Sequence, residues 1–376
     1  MSDEGELTGG IYVHYPFCVH RCPFCDFNLI TPRKIPHGTY TDALLSELNA
    51  RAPSMLGPAQ TLYIGGGTPS LWALGDLGRF LDAVRDRPGL SEDAEITIEA
   101  NPTEVSAPWL REILAMGINR VSLGVQALRD DLLRSLERTH DARAAMSSID
   151  ALLSSGLRSV SMDLLFGIEG QRPDIWEADL REVQSMGVPH LSVYGLTLEE
   201  GTPLWDRVRK GKVTLPSEEE QLEMLLSARR HLRESGYVHY EVSSYAQPGH
   251  RARHNSGYWT MRPYLGLGAG AHGFLPPVRY KNESRVRRYM SRSLEELPTM
   301  EEEALSPELL AFEEVMCGLR DLERGIELSR VHVSLQDAVQ SEMDRGFIER
   351  VDQRLRLTDS GLLLMDDVLL RLTPDT

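Results

Sequence analysis

The sequence predicts an α/β fold in which a parallel sheet is surrounded by helices, followed by a small C-terminal α+β unit. Short apolar runs typical of strands alternate with amphipathic runs typical of helices over residues 11–194. Six or more such β/α units indicate a full or a partial barrel. The length of 376 residues leaves room for one large domain and a smaller one.

The first half of the chain supplies the repeated β/α units. The run 39–52 places Ala43, Leu44 and Leu48 on one helical face, and Gly117 and Gly156 stand where two later helices should end. The predicted strands are 11–15, 60–64, 95–99, 120–125, 159–166 and 190–194. The predicted helices are 39–52, 74–87, 109–116, 141–155 and 175–186.

The second half is less regular. It predicts an irregular stretch over 196–216, a long helix over 217–235 and a strand over 237–245. A break near 292–303 predicts domains at 1–292 and 293–376. The second domain has the order of a winged-helix-like unit, with helices near 306–324 and 335–345, a hairpin of 347–351 with 354–358, and a closing helix.

Composition limits the class of protein. A formal net charge of −16 argues against a nucleic-acid partner. Only four cysteines, three of them clustered, argue against a disulfide-stapled secreted protein. No apolar run is long enough for a transmembrane helix, and the acidic N-terminus is unlike a signal peptide. We therefore expect a cytoplasmic protein that keeps its thiols reduced.

Cys18, Cys22 and Cys25 lie in the loop that follows the first predicted strand. Soft thiolates this close together suit either zinc or an iron–sulfur cluster. A closed zinc site needs a fourth ligand, and His20 lies inside the loop, but no second Cys or His pair follows it. The spacing alone does not distinguish between a zinc site, an iron–sulfur cluster and incidental thiols.

The Cys-x3-Cys-x2-Cys spacing resembles the signature of the radical S-adenosylmethionine (SAM) superfamily. The resemblance implies a [4Fe–4S] cluster on Cys18, Cys22 and Cys25, with SAM chelated to the iron that lacks a protein ligand. Electron transfer from the cluster then cleaves SAM to a 5′-deoxyadenosyl radical in that family. The family has an open barrel of about six units, so the expected fold is a partial (β/α)6 radical SAM barrel.

Polar and glycine residues follow several predicted strands, where a parallel barrel binds its ligands. Taken singly, each has an ordinary explanation as a tight turn, a helix cap or a solvated side chain. Together they resemble the SAM contacts of the porphyrinogen-related branch of the superfamily. The SAM site implied by this resemblance consists of Tyr12, Phe24, Gly66, Gly67, Thr68, Glu99, Gln126, Arg138 and Asp163.

The motifs YVHYPFC, CDFN, GGGTP, SLGVQ, MDLLFG, YGLTLEEGTPL and GLGAGAHG narrow the branch further. They resemble the oxygen-independent coproporphyrinogen III dehydrogenase family and, more closely, its HemW-like haem chaperone subgroup. The dehydrogenases have a fourth cysteine where this chain has Phe27, and an N-terminal extension that is not expected here. Both differences argue against decarboxylation of coproporphyrinogen.

The segment His254-Asn255-Ser256-Gly257-Tyr258-Trp259 matches the HNxxYW motif that the subgroup uses for haem. The resemblance implies haem binding by His254, Tyr258 and Trp259, although a packed loop is the ordinary reading of such residues. His14, His20, His250 and His272 are further candidate ligands to iron. The basic stretch 285–288 is a candidate for the haem propionates, although solvent exposure is its ordinary explanation.

The function favoured by these features is haem binding and delivery to haem-accepting proteins, including transient contact with membrane haem proteins. This would make the chain a carrier rather than an enzyme that turns over a substrate. The alternatives are an oxygen-independent coproporphyrinogen III dehydrogenase, or another radical SAM reaction on an unknown substrate.

Overall fold

A computed structural model describes residues 9–373 of the chain. The expectation based on the acidic N-terminus concerns residues that lie mostly outside this part. The strands are β1 (Gly10–Tyr15), β2 (Ala59–Gly66), β3 (Leu90–Ala100), β4 (Arg120–Gln126), β5 (Ser159–Phe166), β6 (His190–Gly195), β7 (Val238–Glu241), β8 (Ser244–Ala246), β9 (Tyr264–Leu267), β10 (His272–Leu275), β11 (Val278–Asn282), β12 (Thr299–Ala304), β13 (Ile326–Glu327), β14 (Ile348–Val351) and β15 (Arg354–Leu357).

The helices alternate with these strands in the first half of the chain and cluster near its end. They are α1 (His37–Arg51), α2 (Leu74–Asp86), α3 (Ala107–Ala115), α4 (Asp130–Ser135), α5 (Ala142–Leu153), α6 (Pro173–Met186), α7 (Pro203–Arg209), α8 (Glu218–Glu234), α9 (Arg253–Trp259), α10 (Val286–Arg292), α11 (Pro307–Gly318), α12 (Gln336–Asp344), α13 (Asp359–Leu363) and α14 (Met365–Leu372).

The large sheet has the order β12-β11-β10-β9-β1-β2-β3-β4-β5-β6-β8-β7. Strands β1 to β6 are parallel neighbours, and β9 joins them parallel to β1. Antiparallel strands extend both edges, so the sheet is open. The predicted α/β fold with a partial six-unit barrel is confirmed.

Successive side chains of a strand point to opposite faces of the sheet. This alternation determines where the core and the site lie. On β4, Val121, Leu123 and Val125 are fully buried against the outer helices, whereas Ser122 faces the barrel interior. The apolar core therefore lies between sheet and helices, and the polar side chains collect inside the barrel.

The C-terminal region has its own apolar cluster, which includes Val315, Ile326, Val339, Leu355 and Val368. Its three strands form an antiparallel sheet in the order β13-β15-β14 beside α11 and α12, as expected for a winged-helix-like unit. The domain boundary after residue 292 stays a prediction, and β12, which follows that residue, still pairs with β11 in the large sheet.

Two predictions for the irregular half were wrong. The segment 237–245 is a hairpin of β7 and β8, because the chain reverses at Val242-Ser243, where no glycine or proline signals a turn. The stretch 196–216 contains α7, whose N-cap Thr202 accepts a hydrogen bond from the backbone N–H of Trp205. The long helix was predicted well, since Ser217 and Glu220 form a complete capping box at its start.

Candidate cofactor and ligand site

A cavity of about 430 Å³ opens at the carboxyl ends of the parallel strands. Its volume falls in the range of ~300–1,000 Å³ typical of ligand pockets. It gathers eleven of the residues predicted from the sequence: Cys18, Cys22, Phe24, Cys25, Gly66, Gly67, Thr68, Glu99, Gln126, Arg138 and Asp163. Residues far apart in the chain therefore meet at one end of the barrel.

The cysteine loop leaves β1 and is closed at its base by backbone hydrogen bonds. The N–H of Cys18 donates to the carbonyl of Ile30 at 3.0 Å. The hydroxyl of Thr68 donates to the Cys18 sulfur at 3.2 Å, and Arg138 donates to the Cys22 sulfur at 3.4 Å. Burial raises the pKa of the Cys18 thiol to about 11 and also raises the pKa of Cys25.

This loop fits an iron–sulfur cluster. Metal binding displaces the thiol proton, and hydrogen bonds to the ligating sulfurs tune a cluster's reduction potential. Within residues 9–373, no three His, Cys, Asp or Glu side chains are placed to hold a single metal ion. The ring nitrogen Nε2 of His20 lies 3.8 Å from a carboxylate oxygen of Glu137. Three cysteines around one cavity provide the thiolate donors that a cluster takes.

The glycine-rich turn after β2 packs directly against the cysteine loop. The N–H groups of Gly67 and Thr68 donate to the carbonyls of Tyr15 and Phe17 at 2.8 and 2.9 Å. Gly66 has a φ of +112°, and a Cβ there would lie 2.7 Å from the His14 ring. Because only glycine fits, the backbone itself can form the cavity wall.

Glu99 is held at the end of β3 by two donors. Its carboxylate accepts from the Tyr63 hydroxyl at 2.7 Å and from the Gly66 N–H at 3.0 Å. Burial raises the pKa of Glu99 to about 7, although the bond from Tyr63 opposes that rise. Across the cavity, burial raises the pKa of Asp163, whose oxygens both accept from the Ser122 hydroxyl at 3.1 Å.

Gln126, at the end of β4, and Arg138, in the loop between α4 and α5, complete the polar wall. Arg138 donates to the side-chain oxygen of Asn101 at 2.7 Å and to the carbonyl of Gly124 at 2.9 Å. Gln126 adopts a left-handed φ of +70° beside a bulge in β4. Such backbone conformations persist where the surroundings demand them and are common at ligand sites.

Tyr12 and Phe24 differ in their relation to the cavity. Phe24 lies on its wall and packs beside an apolar cluster that includes Leu165. Tyr12 lies behind the wall, where its ring stacks on Tyr63 at 6.2 Å and its hydroxyl contacts Nδ1 of His14 at 2.9 Å. The structure therefore brings Tyr12 near the site but not onto its surface.

The HNxxYW motif lies in α9, which packs against β2 and β3, and its Asn255 lies on the wall of the same cavity as the three cysteines. His254 is buried, with Nδ1 2.8 Å from the Thr61 hydroxyl and Nε2 2.8 Å from the Tyr258 hydroxyl. Burial lowers the pKa of His254 to about 3. Its backbone N–H donates to Glu95 in the middle of β3, and the Trp259 ring lies 6.0 Å from the Arg320 guanidinium. Both His254 ring nitrogens are engaged.

The other histidines that could bind iron are dispersed. His14 is buried near the cysteine loop, and its Nε2 lies 2.7 Å from the carbonyl of Asn28. Nδ1 of His250 lies 3.2 Å from the Ser159 hydroxyl, and His272 is exposed on β10. His20 lies on the cavity wall beside the cysteines.

Sequence reasoning missed several polar residues on the cavity wall. They are Tyr63, Asn101, Arg120, Ser122, His190, Ser192 and Tyr194. A signal was present, because polar residues occupy alternate positions of β4 and β6 and alternate positions share one face of a strand. Buried Arg120 is notable, since its guanidinium lies close enough to Glu99 and Asp163 to favour their ionised forms.

Comparisons with known proteins agree with this geometry. Residues 12–183 match the sequence profile of the Radical SAM superfamily. The chain is 33% identical over 362 residues to the "Heme chaperone HemW" of Lactococcus lactis, covering 96% of this chain and 94% of that protein. It is 34% identical over 366 residues to the protein of the same name from Mycobacterium tuberculosis, covering 96% and 93%.

A solved structure shows the same fold. The coproporphyrinogen III oxidase HemN from Escherichia coli, a radical SAM enzyme, superposes with a TM-score of 0.82 at 23% identity, covering 96% of this chain and 89% of that one. Within residues 9–373, no helix is both long and apolar enough to cross a membrane.

Proposed function

This chain belongs to the HemW family of the radical SAM superfamily, and we propose that it binds haem and delivers it to haem-requiring proteins. The observation that carries the proposal is identity of 33–34% over 96% of the chain with proteins named as haem chaperones. Phe27 supports the proposal, because the coproporphyrinogen III dehydrogenases that this sequence resembles have a fourth cysteine at that position. The chain would act as a cytoplasmic carrier rather than as a catalyst.

Membership of the superfamily implies a [4Fe–4S] cluster and SAM. Cys18, Cys22 and Cys25 would hold the cluster, and when bound it supplies an iron for SAM and an electron for its cleavage. The glycine turn, with Thr68, would position the amino end of SAM through the backbone. Glu99, Gln126, Arg138 and Asp163 would bind its polar groups, Phe24 would pack on the adenine, and Tyr12 would support the methionine end from behind the wall.

The HNxxYW helix is the proposed haem element. The Tyr258 hydroxyl is hydrogen-bonded to Nε2 of His254. This bond must break before the imidazole can bind a metal through Nε2. Its low pKa keeps the ring neutral, which is the form that ligates iron. Trp259 supplies an aromatic surface beside it. The acceptors would be haem-requiring proteins, including transiently contacted membrane haem proteins.

One experiment separates this function from the alternatives. The protein is reconstituted with iron and sulfide, reduced anaerobically, and incubated with haem or with coproporphyrinogen III, each with SAM. We expect stoichiometric haem uptake and transfer to an apo-cytochrome without protoporphyrinogen formation. Porphyrinogen decarboxylation with SAM consumption would replace the proposal by the dehydrogenase. SAM cleavage without haem binding would indicate a different radical SAM reaction.

A further inference from the structure

A cavity of about 470 Å³ lies between the barrel and the C-terminal region and shares no wall residue with the cavity of the three cysteines. The barrel side is formed by residues of α8 and β7, and the other side mainly by residues of β14, β15 and α13. The charged residues and the histidine on its wall are Arg229, Arg233, His239, Glu349, Arg356 and Asp359. We call this cavity the arginine pocket.

Two arginines of this pocket have buried N–H groups without an acceptor. Arg229 is 5% exposed and forms an ion pair with Asp359, a carboxylate that Arg233 also approaches at 3.5 Å. Arg356 donates to the backbone carbonyl of Glu323 at 3.0 Å and forms no ion pair within residues 9–373. The Nε–H groups of both Arg229 and Arg356 are buried, and no described residue accepts a hydrogen bond from them. Such donors are costly unless a ligand or water accepts from them.

His239 adds a buried hydrogen-bond acceptor to the same wall. It is 6% exposed, and its ring stacks on Tyr245 at 4.1 Å. Its Nε2 lies 3.1 Å from the carbonyl oxygen of Val242. Because a carbonyl oxygen only accepts, Nε2 carries the proton, and Nδ1 of the neutral ring is left as an acceptor. Burial lowers the pKa of His239 to about 4, which keeps the ring neutral at pH 7. Among the described residues, Nδ1 has no hydrogen-bond partner.

The charge of the arginine pocket favours a small anion. Three guanidinium groups face the carboxylates of Glu349 and Asp359, whereas the whole chain has a formal net charge of −16. Guanidinium groups bind oxyanions through charge-assisted hydrogen bonds. Sulfate or a carboxylate would accept from these donors but has no proton to donate to His239 near neutral pH. A phosphate group that keeps one P–OH supplies both the accepting oxygens and the missing donor.

We propose that the arginine pocket binds a protonated phosphate group, whose oxygens accept from Arg229 and Arg356 and whose P–OH donates to Nδ1 of His239. Inorganic hydrogen phosphate and the monoanion of a phosphate ester share this chemistry. The bound group would link β7 and α8 of the barrel to β15 of the C-terminal region, so its binding should stabilise the folded chain. The site goes beyond the proposed haem function and does not depend on it.

The proton requirement is tested by titration calorimetry of the full-length, reconstituted wild-type protein at constant ionic strength. At about pH 6 a phosphate ester still carries a proton, so inorganic phosphate, glycerol 2-phosphate and sulfate are compared there. We expect both phosphates to bind and sulfate to bind about tenfold or more weakly. Tighter binding of glycerol 2-phosphate than of inorganic phosphate would assign the pocket to an esterified ligand, and the reverse to free phosphate. Equal binding of sulfate and phosphate, or no binding of either, would overturn the proposal.

The arginine assignment is tested by Arg356→Gln, with Arg111→Gln on the exposed face of α3 as the matched control. We expect the affinity of Arg356→Gln for inorganic phosphate to fall about tenfold, as for a lost charge-assisted hydrogen bond, and the control to match wild type. Thermal unfolding without phosphate checks that both variants fold. Unchanged phosphate affinity in folded Arg356→Gln would place the anion elsewhere and overturn the pocket.

Discussion

Replacing Glu99 by Gln should remove most of a pH-dependent loss of stability. The wild-type carboxyl has a pKa of about 7 in the folded protein, compared with 4.5 for an unperturbed glutamate, because it is buried between β2 and β3. That difference corresponds to ~3 kcal/mol of free energy of unfolding. The folded state binds the proton more tightly, so this contribution is complete below pH 4.5 and is lost as pH rises through 7.

The assay is urea unfolding of wild type and Glu99→Gln between about pH 5 and pH 8, on matched preparations. The variant should gain ~2–3 kcal/mol relative to wild type across this range, since glutamine has no proton to lose. Glu112→Gln, on the exposed face of α3, controls for the loss of a carboxylate. A stability difference between wild type and Glu99→Gln that stays constant with pH would refute the reasoning.

SAM binding gives a second readout at the same residue. If the ionised carboxylate accepts hydrogen bonds from SAM, wild-type affinity should rise as pH increases through about 7. The affinity of Glu99→Gln should be lower and independent of this titration. Parallel pH profiles for the two proteins would remove Glu99 from the SAM site.

Three further substitutions test separate parts of the structure. Arg51→Ala should lower the free energy of unfolding, measured with urea, by ~3–5 kcal/mol. The reason is that buried Glu47 loses the guanidinium that donates to it at 2.8 Å. A loss below about 1 kcal/mol would contradict this. Ser217→Ala should cost ~1 kcal/mol, because it removes the side chain that accepts from the backbone N–H of Glu220, and an unchanged free energy of unfolding would show that this capping bond contributes little. His254→Ala should lower haem uptake and leave iron and sulfide content unchanged; full uptake would move haem binding away from α9.

The residues around the three cysteines could be predicted because they belong to short sequence motifs. The spacing of Cys18, Cys22 and Cys25, and the glycines directly after β2, each lie within one loop. The β/α alternation then brings strand ends to one edge, which is why Glu99 and Asp163 meet in the same cavity. Neither inference requires knowledge of how distant side chains pack.

The position of the HNxxYW motif could not be predicted in this way. Whether His254 faces the barrel interior or solvent depends on how α9 packs against β2 and β3, through Thr61 and Glu95. These contacts form only when separate parts of the chain pack together.

The three-cysteine loop is the feature on which the proposed function depends most. Its direct test is the iron, acid-labile sulfide and zinc content of anaerobically prepared protein, with electron paramagnetic resonance of the reduced sample before and after SAM is added. We expect equal iron and sulfide, and a spectrum that changes with SAM because one iron is open to it. Zinc in place of iron, or the absence of sulfide, would contradict the assignment of Cys18, Cys22 and Cys25 to a cluster.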